Sequence, residues 1–472
     1  MESANLPYTQ KTPLNTVWRD NADPAIYEAA RTSRLFNAQK PTQYPIAIAF
    51  VKDASEVVDV IQLAIQLSCR ISVRAGGHSY ASWSVRDEAI LIDMGDFSEN
   101  PSLDEATGIV SIPPSIMGKD LIEYLDAKGR VCSVGHCPDV GLGGFLLGGG
   151  MGWNCNVSLS TQGFNFYAQW LKERKNWGWA CEQVVAIDVV TADGQFIRSD
   201  IQQHSDLFWA ARGAGPAFPG VVTRFYLKTK PAIKSMFSSG YVYPIRSYRT
   251  SLQWAATVSS SNDGIEVLAI GSYSADLKGP CVTVSILAYG DNDDDARDVL
   301  QKIDASHPNG ALLQWICEKT NMQQQLEKSG QSFPNNHRYY VDNLWLDDNM
   351  DFSLLDRAFN SLPTKNSLLL CQSMFPCSQR DLPDMALSLQ SNQWLAMYAI
   401  WEEEADDSRC ETAVHEAISE LQQHSKGSYL GELDFRARRG HYWADDQYER
   451  LVSVRRKWDP LNRICGCLGL EV

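Results

Sequence analysis

Arg74-Ala75-Gly76-Gly77-His78-Ser79-Tyr80 places paired glycines, an imidazole and a hydroxyl directly after a predicted strand at 71–74. Glycines at such a point let backbone amides approach a pyrophosphate closely, and the Ser79 hydroxyl can donate to it. A second run, Gly135-His136-Cys137-Pro138-Asp139-Val140-Gly141-Leu142-Gly143-Gly144, continues to Gly148-Gly149-Gly150-Met151-Gly152 and carries a thiol among its glycines. A third, Arg212-Gly213-Ala214-Gly215, leads into Phe218-Pro219-Gly220-Val221-Val222-Thr223. Taken singly, each cluster is open to a reading as turn chemistry, His78 as a satisfied polar side chain and Cys137 as a small buried hydrophobe. Together and in this order they are specific. The glycines after Gly141 lack the spacing and the strand–helix–acid context of the dinucleotide fingerprint, which excludes a Rossmann fold.

These clusters need elements to hold them. Apolar runs predict strands at 46–51, 71–74, 89–94, 109–112, 131–134, 184–191 and 220–227. Helical spacing over 54–69 and 118–128, the latter closed by Gly129, predicts the helices between them. From about Met236 the pattern changes, with sheet expected over 240–290 and 365–405 and helices over 292–305, 350–361 and 408–424. The fold class is α+β. The expected organisation is a cofactor domain at 40–235, a substrate domain at 236–425 built on an antiparallel sheet covered by helices, and a tail at 426–472 returning to the first domain.

The bulk composition sets limits. The chain has 472 residues, 44% hydrophobic and 21% charged, with a net charge of −15. Such usage excludes disorder and fibrous classes, and the acidic balance offers no footprint for nucleic acid or an anionic membrane. No stretch approaches the ~20 apolar residues that span a bilayer, and the first residues do not resemble a signal peptide, so a cytoplasmic location is expected. The 12 cysteines lack the spacing of a metal site, and none is expected.

The ordered clusters resemble those of the berberine-bridge-enzyme-like and 6-hydroxynicotine-oxidase-like flavoproteins, whose FAD-binding domain is of the vanillyl-alcohol-oxidase (PCMH) type, with two subdomains. The likeness runs from about residue 41 to 468. It implies FAD bound by Arg74, Ala75, Gly76, Gly77, His78 and Ser79, and by Cys137, Val140, Gly141, Gly143, Gly144, Gly148, Gly149, Gly150 and Gly152. It also implies covalent bonds from His78 to the flavin C8 methyl and from Cys137 to C6, since an imidazole and a thiolate are the nucleophiles those positions accept. Val140 falls at the family's oxygen-access position, where a small residue favours dioxygen as the acceptor. Val189, in the 188–194 strand and turn, resembles the segment whose backbone contacts the adenine end; an ordinary strand accounts for it equally well.

Hydride removal from C–OH is helped by a general base. Tyr429-Leu430-Gly431-Glu432-Leu433-Asp434 resembles the family segment Tyr-x-Asn-x-x-Asp, whose Tyr is that base, with Gly431 where the family has Asn. A phenol needs a cation or hydrogen bonds to its phenolate to ionise at neutral pH, and Arg436, Arg438 and Arg439 are the candidates to supply that help, with a packed core tyrosine as the alternative reading of Tyr429. Asp342 and Tyr398 are weaker candidates on the substrate face. The resemblance therefore implies an FAD-linked oxidase of a small molecule in secondary metabolism. The alternatives are a dehydrogenase using another acceptor and a non-catalytic remnant. The remnant is kept open by Gly431 and by 157–175, a segment without turn logic between Gly152-Trp153-Asn154-Cys155 and Trp177-Gly178-Trp179-Ala180-Cys181-Glu182. Val157-Ser158 can be encoded by a 5′ splice sequence and Lys175 by a codon ending in a 3′ site, so an untranslated intron carried into the coding sequence is expected, with a genuine lid loop as the alternative.

Overall fold

The computed structural model describes residues 14–155 and 177–466, apart from 263, 376, 436, 437 and 439. The segment 157–175, Arg436 and Arg439 therefore lie outside the described residues.

The first sheet orders its strands Asn15–Trp18, Ala47–Phe50, Ala89–Asp93 and Arg70–Arg74, the last three parallel. Parallel strands need a crossover, and the helix Ala54–Leu67 supplies the one from Ala47–Phe50 to Arg70–Arg74, which flank Ala89–Asp93. Asp53 starts it by accepting the backbone N–H groups of Ser55 and Glu56, and Val57, Val60, Ile61 and Ala64 form its buried face. The strand Asn15–Trp18 pairs antiparallel with Ala47–Phe50, and the helix Pro24–Thr32 packs on it.

A second, antiparallel sheet runs Ser102–Asp104, Ile109–Ile112, Gly220–Lys228, Val184–Thr191, Phe196–Asp200. The expected strand at 131–134 shrinks to Arg130–Val131, paired with Lys230–Pro231. The chain then turns into the glycine-rich run, whose short helix Leu142–Leu147 starts at Gly141.

The third sheet has eight antiparallel strands, in the order Leu313–Thr320, Ser235–Pro244, Gly279–Gly290, Ile265–Ser274, Leu368–Ser373, Gln393–Trp401, Arg338–Leu346 and Ser425–Gly427. Alternation along each strand sends successive side chains to opposite faces. Val267, Ala269, Val284, Leu344, Leu369, Leu395 and Met397 pack under the helices Tyr248–Ser261, Asp293–Asp304 and Asp407–Leu421. Leu268, Ile270, Leu368, Leu370, Trp394 and Tyr398 face the other way, toward the first two sheets. The tail returns to the first sheet, where Ile71 N–H donates to the Arg463 carbonyl (2.8 Å) and Cys465 N–H to the Ile71 carbonyl (2.8 Å). We propose domain limits at these changes of sheet, near 235 and 426.

Candidate active site

A cavity of about 510 Å³ opens between the glycine-rich loops and the uncovered face of the eight-stranded sheet. Arg74 through Ser79 line it, as do Cys137, Val140, Gly141, Gly143, Gly144, Gly148 and Tyr398. Gly149, Gly150, Gly152 and Val189 lie outside that lining. The Gly149 and Gly150 carbonyls instead accept from Cys181 and Ala180 (2.9 Å each), pinning the 177–182 segment. Gly152 backs onto the Val134 carbonyl, and Val189 packs beneath Gly220, where an added Cβ would meet its Cγ2 at 2.8 Å.

Arg74 belongs to the scaffold. It is 1% exposed and donates to Asp93 Oδ2 (2.8 Å) and to the carbonyls of Arg31 and Ala30 (2.6 Å each), while Arg34 holds the other Asp93 oxygen. A buried guanidinium so fully paired fixes the end of the strand Arg70–Arg74 and hence the loop that follows. In that loop Gly76 meets Gly141 so closely that a Cβ on Gly76 would lie 2.6 Å from the Gly141 Cα. Two glycines are what allow the two loops to touch.

His78 stacks on Phe36 with ring centroids 3.9 Å apart, and its Nε2 lies 3.3 Å from Asp139 Oδ1. The alignment leaves that buried nitrogen without a hydrogen bond among the described residues. His78 in turn holds the Asp139 carboxyl below the usual carboxylate range. Burial, reinforced by the nearby Glu432 and Asp139 carboxylates, pushes the Cys137 thiol well up, with Ser329 opposing as a hydrogen-bond partner.

Tyr429 is 4% exposed. Its hydroxyl oxygen accepts from the backbone N–H groups of Gly150 (3.2 Å) and Met151 (3.0 Å), and among the described residues no arginine bonds to it. Arg438, one of the three expected helpers, is bound instead to Asp342 (2.7 and 2.8 Å) and to the Asn343 carbonyl. Burial raises the Tyr429 phenol above its ordinary value despite the two amides. Asp342 is not in the cavity wall, a correction to its expected place there. In the antiparallel register Val341 opposes Tyr398 and Asp342 opposes Met397, so Asp342 shares the helix-covered face.

The adjacent Asn343 is the residue that shapes the site, and sequence reasoning passed over it. Its Oδ1 accepts from Tyr429 N–H (2.7 Å) and Trp394 Nε1 (3.1 Å). Its Nδ2 donates to the carbonyls of Tyr429 (3.0 Å) and Glu432 (2.8 Å). All four bonds an amide side chain can make are used, so the 429–432 turn is held from the strand Arg338–Leu346 although Gly431 replaces the family Asn. Gly431 has its own reason: a Cβ there would lie 2.6 Å from Tyr429 Cε1. Gly431→Ala is expected to cost about 1–3 kcal/mol by overpacking, read as a lower urea midpoint at unchanged slope.

The turn delivers Glu432 to the cavity, a second residue sequence reasoning missed. Its Oε2 is buried with no hydrogen-bond partner among the described residues. Burial pushes the carboxyl up to about 8. The available signal was a carboxylate between Leu430-Gly431 and Leu433, within the segment already singled out for its tyrosine. His136 also lines the cavity, its Nε2 2.8 Å from the buried Glu266.

The residues present fit a flavin dinucleotide. The touching glycine loops make a cradle that a Cβ would fill, and the His78 imidazole and the Cys137 thiol border the same space. Comparison with known proteins agrees. Residues 45–164 match the family described as the FAD binding domain. The chain is 35% identical over 469 residues to an FAD-linked oxidoreductase of Penicillium ochrochloron, covering 99% of this chain and 98% of that protein. It is 30% identical over 220 residues to a carbohydrate oxidase of Microdochium nivale, 46% of this chain and 40% of that protein. Among solved structures, 6-hydroxy-D-nicotine oxidase of Arthrobacter nicotinovorans superposes with a TM-score of 0.77 at 20% identity, covering 97% and 98% of the two chains. A berberine-bridge-enzyme-like protein of Physcomitrella patens gives a TM-score of 0.77 at 17% identity, covering 96% of each chain. With its glycine-cradled cavity, PCMH-type α+β fold and full-length kinship, the chain belongs to the FAD-linked oxidoreductases, and it shares the fold of 6-hydroxy-D-nicotine oxidase and of a berberine-bridge-enzyme-like protein.

Proposed function

We propose that this oxidoreductase is an oxidase that converts a C–OH or C–N centre of a small molecule to C=O or C=N, passing the electrons to dioxygen as hydrogen peroxide. We assign the proton-accepting role to Glu432 and not to Tyr429. The observation that carries the reading is the unpartnered Glu432 oxygen in the same cavity as His78 and Cys137.

A base must be partly ionised at working pH. An ordinary phenol is ionised in only about one molecule in a thousand at pH 7, and burial lowers that fraction further for Tyr429. Glu432, at about 8, is partly ionised there and strongly basic once it is. Tyr429 then orients: with two amides on its oxygen, its own proton is free to point at a substrate oxygen. FAD, when bound, supplies the hydride acceptor. Leu268, Ile270, Leu368 and Leu370 close the sheet side and keep water from the reacting carbon. Val140 in the cavity wall supports dioxygen as the acceptor, and secondary metabolism is the setting that the resemblance suggests.

We also propose that His78 and Cys137 are the covalent tethers. The protein is expected to give a yellow acid precipitate, with flavin mass on the peptides carrying both residues. His78→Ala or Cys137→Ala should each leave one modified peptide, and the double variant a colourless pellet. Air oxidation with peroxide release under a substrate panel supports the oxidase, whereas a flavin that bleaches and stays reduced in air would assign a dehydrogenase.

A further inference from the structure

Cys155 and Cys377 meet far from each other in sequence, 222 residues apart, with sulfurs 3.5 Å from one another. Cys155 ends the glycine-rich segment of the cofactor unit, and Cys377 begins the short helix Cys377–Gln379 that follows the strand Leu368–Ser373 of the eight-stranded sheet. Both are 1% exposed or less. Arg380 Nη2 lies 3.6 Å from the Cys377 sulfur and is itself held by Glu182, whose Oε2 accepts from Nη1 at 2.8 Å. Around the pair the core is rich in sulfur: Met151, Cys181, Met374 and Met385 pack in the same cluster, with Cys181 Sγ 3.7 Å from Met385 Sδ. Met151 also lines the cavity, so this cluster borders the space where substrate chemistry occurs.

We propose that Cys155 and Cys377 are an oxidation site, a dithiol that a hydroperoxide closes into a disulfide tying the cofactor unit to the sheet domain. The sulfurs need to approach by only roughly 1.5 Å to reach the disulfide length. The two are not equivalent. The Cys155 thiol, as donor, and the Arg380 guanidinium hold Cys377 below the ordinary thiol value, and Cys155 is pushed well up by the same contact and by burial. Cys377 is therefore the attacking sulfur. Its thiolate attacks one peroxide oxygen, the O–O bond breaks, hydroxide leaves and takes up a proton as water, and Cys377 becomes a sulfenic acid. The Cys155 sulfur then displaces the sulfenic hydroxyl, its own proton leaving with it as the second water. Two thiols and one hydrogen peroxide give one disulfide and two waters, with two electrons passing from sulfur to oxygen. The bond would fix the segment whose Gly150 and Met151 amides hold Tyr429.

The test treats the full-length reduced protein with added hydrogen peroxide, then alkylates it under denaturing conditions and maps its peptides. Because the peroxide is added, the result does not depend on whether the protein is an oxidase. Expected is a Cys155–Cys377 linked peptide pair, lighter than the two free peptides by two hydrogens and absent before treatment. In Cys155→Ser the expected product is a sulfenic acid on Cys377, trapped by dimedone; in Cys377→Ser the link is lost and Cys155 is not trapped. Complete alkylation of both cysteines in the wild-type protein after peroxide, with oxygen added to Met151 or Met385 instead, overturns the proposal. So does cross-linking of either cysteine to a different partner.

Discussion

Glu432→Gln is expected to lower kcat/KM for the flavin-reducing step by about a thousandfold, roughly 4 kcal/mol of barrier, while the flavin stays bound. The substitution keeps the shape and removes only the capacity to take a proton. In the wild-type protein kcat/KM should rise about tenfold per pH unit and level off near 8, the value to which burial pushes this carboxyl. The variant should lose that limb. Tyr429→Phe serves as the contrast: it strips the acceptor from two buried amides, so its cost falls on stability and its pH limb stays in place. A pH limb that persists in Glu432→Gln and vanishes in Tyr429→Phe would return the base to the tyrosine.

The same carboxyl makes a stability prediction with a definite sign. Glu432 holds its proton in the folded chain up to about 8, whereas its unshifted value is 4.5. Between those limits the folded state binds more protons than the unfolded one, so stability falls as pH rises. The slope is roughly 1.4 kcal/mol per pH unit. Glu432→Gln removes that loss. Its urea midpoint should match the wild-type protein near pH 4 and exceed it increasingly toward pH 8. Equal midpoints across the range would mean that the carboxylate finds a partner or water when it ionises.

The cofactor side was legible in the sequence because glycine chemistry is local. Gly76 and Gly141 are required by a backbone contact, and a run that spells out such contacts in order survives without knowledge of the rest of the fold. The substrate side depends on parity and on distant partners. Asp342 and Asn343 are neighbours, yet only the register against Gln393–Trp401 decides which of them faces the Tyr429 turn. A one-residue choice of face reverses the answer. Glu432 was hidden for a related reason: nothing in a Glu-Leu-Asp triplet says whether a carboxylate finds a partner, and here one oxygen finds none among the described residues. The helix Tyr248–Ser261 was lost inside an expected sheet because its Ser, Thr, Val and aromatic content weakens helical propensity, while tertiary packing of Leu252, Trp254, Ala255 and Val258 stabilises it.

Removing 157–175 is expected to leave the fold intact and to improve flavin retention, and the reason lies in the flanks. The Gly178 N–H donates to the Cys155 carbonyl at 3.2 Å, so the chain re-enters the fold where it left. After the deletion only Asn156, Asn176 and Trp177 separate these two residues, and the same bond becomes an ordinary i to i+4 turn. Shortening the closing segment roughly sevenfold lowers its closure entropy cost by roughly 2 kcal/mol. The residues on either side also matter chemically, since Gly150 and Met151 hold Tyr429 while Trp179 stacks on its ring at 5.9 Å. The shortened chain should therefore melt at or above the full-length chain and yield the yellower acid precipitate, and transcripts should lack the corresponding codons. A shortened chain that loses flavin or unfolds, beside a full-length chain that binds it well, would make the segment a working part of the protein; its codons in the mature message would say the same independently.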